Sequence, residues 1–146
     1  MNKLAQQLSI GGICLLFAGT ANAAEDDNDL MLKKIMQTMQ VNVQQIDRAI
    51  KRSDWQALNK SALAIAHHPS PPLMEKIKIL AYMNIDMLQF KRLDAETHDT
   101  AQLLAELAEQ KQSREIVSTF KRLQTSCSTC HEAFRQDFQA YFYTQR

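Results

Sequence analysis

From residue 20 to residue 146 the chain contains no glycine; Gly11, Gly12 and Gly19 all lie near its start. Tight two-residue hairpin turns need a residue at positive φ, and glycine is the residue that supplies it without steric penalty. Phosphate-cradling loops need glycine too, so that the backbone can approach the ligand. Rossmann and P-loop architectures are therefore excluded. The three prolines, Pro69, Pro71 and Pro72, form one cluster and interrupt the chain at one place. A chain punctuated this sparsely is expected to be helical.

The glycines belong to a segment with its own character. Lys3 precedes the apolar run IGGICLLFA at 10–18, and Ala21-Asn22-Ala23 has the form of a cleavage site. This is the layout of a secretory signal peptide over 1–23, with an apolar run too short to span a bilayer. Cys14 lies inside it behind Ile13, which does not suit a lipoprotein acceptor. The remainder, 24–146, is expected to be a single domain, long enough to bury a core without disulfides. Lys3 leaves with the leader, so sixteen basic residues balance sixteen acidic ones. That balance gives no electrostatic case for nucleic acid or for a membrane surface.

Hydrophobic periodicity divides the domain. Residues 25–29, EDDND, suit the positive end of a helix. Met36, Met39, Val43, Ile46 and Ile50 then mark one face of a helix over about 28–51. Ser53 or Asp54 is a candidate N-cap for a second helix, where Trp55, Leu58, Ala62 and Ile65 repeat the pattern until His68, before Pro69. Ile77, Leu80, Asn84 and Leu88 give a weaker stripe through 73–91. Asp94 or Thr97 could cap a further segment carrying Ala101, Leu104 and Leu107. The sequence leaves open whether 73–110 is one helix or two, and a bend near 92–97 is favoured. Ser113 is the candidate cap of the last helix, whose face carries Ile116, Phe120, Leu123, Cys127, Cys130, Phe134 and Tyr141. The reading is all-α, an antiparallel four-helix bundle around one core. For most of these positions core packing is the whole explanation.

Cys127-Ser128-Thr129-Cys130-His131 asks for more. On a helix its two thiols and the imidazole stand at i, i+3 and i+4, on one face. C-x-x-C-H is the attachment sequence of a c-type haem: the thiols form thioethers with the two vinyl groups, and the histidine ligates the iron. A zinc site needs about four ligands, and His67 and His68 would have to be recruited from a distant helix end. A thiol–disulfide oxidoreductase would set its cysteine at a helix N-terminus beside a β-α-β unit, and no strands are in view. A plain disulfide leaves His131 unexplained. The weight falls on one covalently attached haem c.

The stretch from Phe120 through Cys127, Cys130 and His131 to Phe134 and Arg135 resembles the C-terminal haem helix of the class II c-type cytochromes, cytochrome c′ and its low-spin relatives. The segment Ile35-Met36-Gln37-Thr38-Met39-Gln40-Val41-Asn42-Val43-Gln44-Gln45-Ile46 is similar to that family's first helix. The resemblance implies a four-helix bundle with haem at its last helix. It also places Met36 where low-spin members carry the distal iron ligand and where cytochrome c′ carries a non-ligating apolar residue. Met39, one turn on, is the rival, and an open sixth position is the third alternative. The resemblance also implies that Arg135 reaches the proximal side of the haem, the alternative being a solvated surface arginine; Phe134 reads as core with Phe120 and Phe138, and the resemblance implies that it packs against the porphyrin as well. Two positions depart from the family pattern: Leu32 stands where a basic residue is frequent, with Lys33 and Lys34 adjacent, and Gln40 stands where a small residue is common.

The implied function is a periplasmic carrier of single electrons between redox partner proteins, transforming no substrate and so not an enzyme. The alternative is a five-coordinate haem protein that binds nitric oxide or carbon monoxide. Members of the family often pair through their first two helices. The resemblance thus allows a homodimer, although no distinct exposed apolar seam for one stands out in the sequence. His98 reads as a surface or partly buried histidine, and His67 and His68 as companions of the C-terminal end of the second helix.

Overall fold

The computed structural model describes residues 30–144; the leader and the acidic run 25–29 lie outside them. Five helices follow one another: α1 (Met31–Arg52), α2 (Trp55–Ala66), α3 (Leu73–Met83), α4 (Met87–Glu109) and α5 (Ser113–Tyr143). A 3-10 turn at Asn84–Asp86 joins α3 to α4, so the two act as one bent leg of a four-legged, all-α bundle. No helix among the described residues is long and apolar enough to cross a membrane.

Among the described residues, which include no glycine, turns fall to other residues. Ser53, Asn84 and Lys111 carry positive φ of 53°, 41° and 54°. Ser53 closes α1 with its backbone N–H on the carbonyls of Ala49 and Ile50, and the Asp54 carboxylate then accepts from the Ala57 N–H at 3.0 Å to start α2. At the other end of α2, the chain leaves the helix after Ala66, just ahead of the proline cluster.

Three expectations need correction. The break in 73–110 falls at Asn84–Asp86, not near 92–97. Asn tolerates positive φ better than most residues, whereas Asp94 and Thr97 sit inside α4. The Thr97 hydroxyl cannot serve as a cap, since it lies inside the helix, 3.0 Å from the Leu93 carbonyl one turn earlier. The stripe through α3 is also displaced. Ile77 and Leu88 are 49% and 77% exposed, while Ile79 and Met83 are buried; the turn at Asn84 rotates one half of the stripe away from the other. Finally, Ser113 is the first helical residue of α5 and Gln112 occupies the cap position, with no side-chain hydrogen bond.

The core is divided unequally. Its larger part joins α1 along most of its length (Ile35, Met39, Ile46, Ala49) to α2 (Leu58, Ala62, Ile65), to the C-terminal half of α4 and to Ile116, Phe120 and Leu123 of α5. A smaller cluster gathers Ile79, Met83 and Phe138 with Tyr82, Phe90, Phe134 and Phe142 at the other end. Helix length explains the division. At 1.5 Å per residue α2 spans about 18 Å, against about 33 Å for α1 and about 46 Å for α5, so α2 covers only one half of its neighbours. Faces pack in the order α1–α2, α2–α4, α4–α5, and the backbones of α1 and α5 barely meet. Between these two helices the bundle is open.

Candidate functional site

That opening is a cleft of about 640 Å³, within the range of about 300–1,000 Å³ usual for cofactor pockets. Its walls come from the N-terminal half of α1, the first turns of α4 and the C-terminal half of α5, with Met83 from α3. All six residues singled out in the sequence line it: Met36 from α1, and Cys127, Cys130, His131, Phe134 and Arg135 from α5. Met39, the rival thioether, lines it as well and is almost fully buried.

The turn that carries the cysteines is fixed from behind. The buried Thr97 and Ser126 hydroxyls lie 3.1 Å apart, so that one donates to the other, and the acceptor of the two turns its own proton to the carbonyl one turn back on its own helix, Leu93 at 3.0 Å or Leu123 at 2.8 Å. One turn earlier, the Arg122 guanidinium donates twice to the Thr100 hydroxyl, at 3.2 and 3.0 Å. These two pins hold α5 against α4 just before Cys127. α1 is held at its start by α3: the Glu75 carboxylate accepts from the Met31 and Leu32 amides at 2.7 and 2.8 Å. Those are amides that an α-helix leaves without internal partners, and Leu30 in the cap position offers no side-chain bond to them.

Cys127 and Cys130 are free and half-buried. Burial pushes the Cys127 thiol up, against hydrogen bonding that lowers it. Cys130 is pushed up to about 11, first by burial and then by the nearby Asp94 carboxylate and Cys127. Both are therefore neutral thiols near pH 7. His131 moves the opposite way: burial, and then the positive charge of Arg135, lower its pKa. Both effects favour neutral imidazole, the form that binds a metal.

A flat apolar cofactor with two reactive vinyl groups and a central iron suits this arrangement. Two thiols stand one turn apart with a neutral imidazole beside them. Thioethers and phenylalanines supply apolar walls, and Lys33 and Arg135 put cations on the lining for an anionic edge. Lys33 also stands over the Tyr143 ring, 5.6 Å from its centroid. Sequence periodicity had not drawn Met83, Phe90, Asp94 or Tyr143 into the site. Met83 and Phe90 flank the Asn84 turn, and only the position of that turn decides which way they face.

The fold and the cleft define the class, an all-α bundle with a cofactor-sized cavity between its first and last helices. The family model described as Cytochrome C′ matches residues 32–135, and the chain belongs to that family of haem c-type cytochromes. Comparison with curated proteins and with solved structures gives no match.

Proposed function

We propose that this protein is an exported, periplasmic mono-haem cytochrome that passes single electrons between redox partner proteins. In this reading Cys127 and Cys130 hold the haem through thioethers, His131 is its proximal ligand and Met36 its distal one. The observation that carries the reading is the shared cleft: Met36 on α1 and His131 on α5 line one cavity between helices whose backbones scarcely touch. Bound there, haem supplies a one-electron ferric/ferrous couple, and Met/His ligation raises its potential. The chain's own residues do the rest. Glu75 fixes the start of α1 and so the helix that bears Met36. Thr97 and Ser126 hold the cysteine turn against α4. Phe134 and Phe138 keep water from one wall, and Lys33 and Arg135 offer charge to the acidic edge. We read the protein as a carrier and not an enzyme.

The description of the matched family favours a second reading, in which the sixth position is open and binds a small gas. The test is the visible spectrum of the purified protein, reduced, with and without carbon monoxide, for the parent and for Met36→Ala and Met39→Ala. A low-spin parent indifferent to the gas, made gas-binding by Met36→Ala alone, is the expected result. A parent that binds carbon monoxide before any substitution establishes the second reading. The same conversion by Met39→Ala, with Met36→Ala silent, transfers the ligand role to Met39.

A further inference from the structure

On the side of α4 next to the cleft, three side chains converge that the haem site does not use as ligands. His68, just past α2, and Asp94 and His98, one turn apart on α4, bring one ligand atom each to within 4.8 Å of one another. The rings of His68 and His98 lie with centroids 4.6 Å apart. The Nε2 of His98 is 3.7 Å from Asp94 Oδ2.

The hydrogen bonds on the far side of each ring fix what the near side can do. Nδ1 of His98 faces the Ala66 carbonyl at 2.5 Å, and Nδ1 of His68 faces the Pro69 carbonyl at 3.0 Å. A carbonyl oxygen only accepts, so in both rings Nδ1 carries the proton and donates it. A neutral ring then presents Nε2 as a bare lone pair. His68 Nε2 is buried and has no hydrogen-bond partner, an arrangement that packing alone does not account for. Two imidazoles anchored to backbone carbonyls through Nδ1, each offering Nε2, is the usual outer arrangement of metal-ligating histidines.

The geometry points to a binding site for a divalent transition metal of the zinc class, ligated by His68 Nε2, His98 Nε2 and an Asp94 carboxylate oxygen. Two imidazoles and one carboxylate leave the fourth tetrahedral position to water. Ligand atoms around tetrahedral zinc stand about 3.3 Å apart. The His98–Asp94 pair is nearly there, and the His68 ligand atom, within 4.8 Å of both, moves inward to complete the set. Asp94 and His98 are each partly open to solvent, at 47% and 30% side-chain exposure, which gives the ion a way in. Asp94 also lines the cleft, whereas the two histidines do not; the site is thus a neighbour of the haem site that shares one wall with it.

The test is calorimetric titration of the purified full-length mature protein with zinc chloride, paired with electron paramagnetic resonance of the same protein loaded with one equivalent of Cu²⁺. One Zn²⁺ per chain is expected, with His68→Gln and Asp94→Asn each weakening it by at least about tenfold and His67→Gln leaving it unchanged. The copper spectrum should show two nitrogen ligands, and one after His68→Gln. His98 also tethers the end of α2, so His68→Gln, which breaks no bond between helices, carries the decision; helical circular dichroism and the visible spectrum verify that each variant is folded. Absence of binding at millimolar Zn²⁺ overturns the proposal. So does binding that His68→Gln leaves unaltered, since the metal then sits on other groups, such as the cleft thiols.

Discussion

Glu75 is the residue whose loss should most directly loosen the cleft without touching it. It stands in the first turn of α3, yet its two carboxylate oxygens accept from the Met31 and Leu32 amides at the start of α1, at 2.7 and 2.8 Å. Glu75→Gln keeps the shape, removes the charge and replaces one acceptor oxygen by an amide nitrogen that cannot accept. Loss of a helix N-terminal acceptor costs about 0.5–2 kcal/mol. Removal of a negative charge from the positive end of the helix costs a further 0.3–1 kcal/mol or so at such a site. These terms overlap, and about 1–2 kcal/mol is the combined expectation, a fall in Tm of roughly 4–8 °C for a domain of this size. Urea unfolding followed by far-ultraviolet circular dichroism should show the midpoint falling at unchanged slope. Glu96→Gln, exposed in the middle of α4, should stay within about 0.5 kcal/mol of the parent. Amide exchange should quicken first over Met31–Met36, which includes the cleft residues Leu32, Lys33 and Met36. A Glu75→Gln protein as stable as the Glu96→Gln control would refute the reasoning, because the α3–α1 tie would then carry no net energy.

Lys111 holds a left-handed conformation at φ 54° between α4 and α5. Its strain of about 1–2 kcal/mol exceeds the extra chain entropy of glycine, about 0.5–1 kcal/mol, so Lys111→Gly should raise stability by up to about 1 kcal/mol in urea unfolding; a loss would contradict the assignment. Thr97→Val removes one of the two pins behind the cysteine turn but leaves Ser126 bonded to the Leu123 carbonyl. A loss of about 1 kcal/mol is expected, measured as a midpoint shift, and a loss above about 3 kcal/mol would mean that the pair does more than join two helices. In haem-free protein the Cys130 thiol, pushed up to about 11, carries little thiolate at pH 8. Its alkylation by iodoacetamide should run on the order of a hundredfold slower than that of an unfolded cysteine, rising with pH toward 11. Asp94→Asn should speed it, and equal rates for Cys130 in folded and urea-unfolded protein would count against the burial of the site. The same haem-free protein should exchange its amides fastest at the cleft end and slowest in α2 and the C-terminal half of α4; uniform exchange would show that the two core clusters unfold as one.

How much of this was open to inspection in the sequence differs from element to element. α2 and α5 were legible because their apolar spacing is regular and their boundaries carry chemistry: Asp54 caps the one, and the cysteine motif lies squarely within the other. The α3–α4 leg was not. Ile77, Leu80, Asn84 and Leu88 satisfy a helical spacing, but so do Ile79 and Met83, and a run rich in apolar residues on every side has no unique face. What decides is the backbone turn at Asn84, a single residue at φ 41° that no periodicity encodes. The first stripe was nearly right in a way that is instructive. Ile35, Met39, Ile46 and Ala49 are the buried line of α1, while Met36, Val43 and Ile50 are half-buried beside it. Met36 and Val43 line the cleft, so a stripe read as one face is a seam between core and cavity. The ties made by Glu75 and His98 are separated from their partners by more than thirty residues and lie beyond any local reading.

That seam bears on why the cleft exists where it does. Cofactor sites in helical bundles are built from side chains on facing helices, and here helix length decides which facing residues meet. Here the proline cluster ends α2 after twelve residues, and the leg that follows must bend at Asn84 before it can rejoin α5 as α4. The half of the bundle that α2 reaches is filled by aliphatic side chains and alanines, many of them fully buried. The half that it does not reach is walled by flexible thioethers and by rings packed edge to face, such as Phe90 against Phe134 and Tyr82 against Phe138. Methionine and aromatic side chains can line a cavity without collapsing into it, since rings are rigid and the thioether adapts its shape to what it meets. The division between a dense half and a lined half follows from the length of one helix and the residues opposite its missing turns. The cysteine motif sits in the last helix at the level where the lining begins, and this is the level at which a thiol can face a cavity instead of a neighbour.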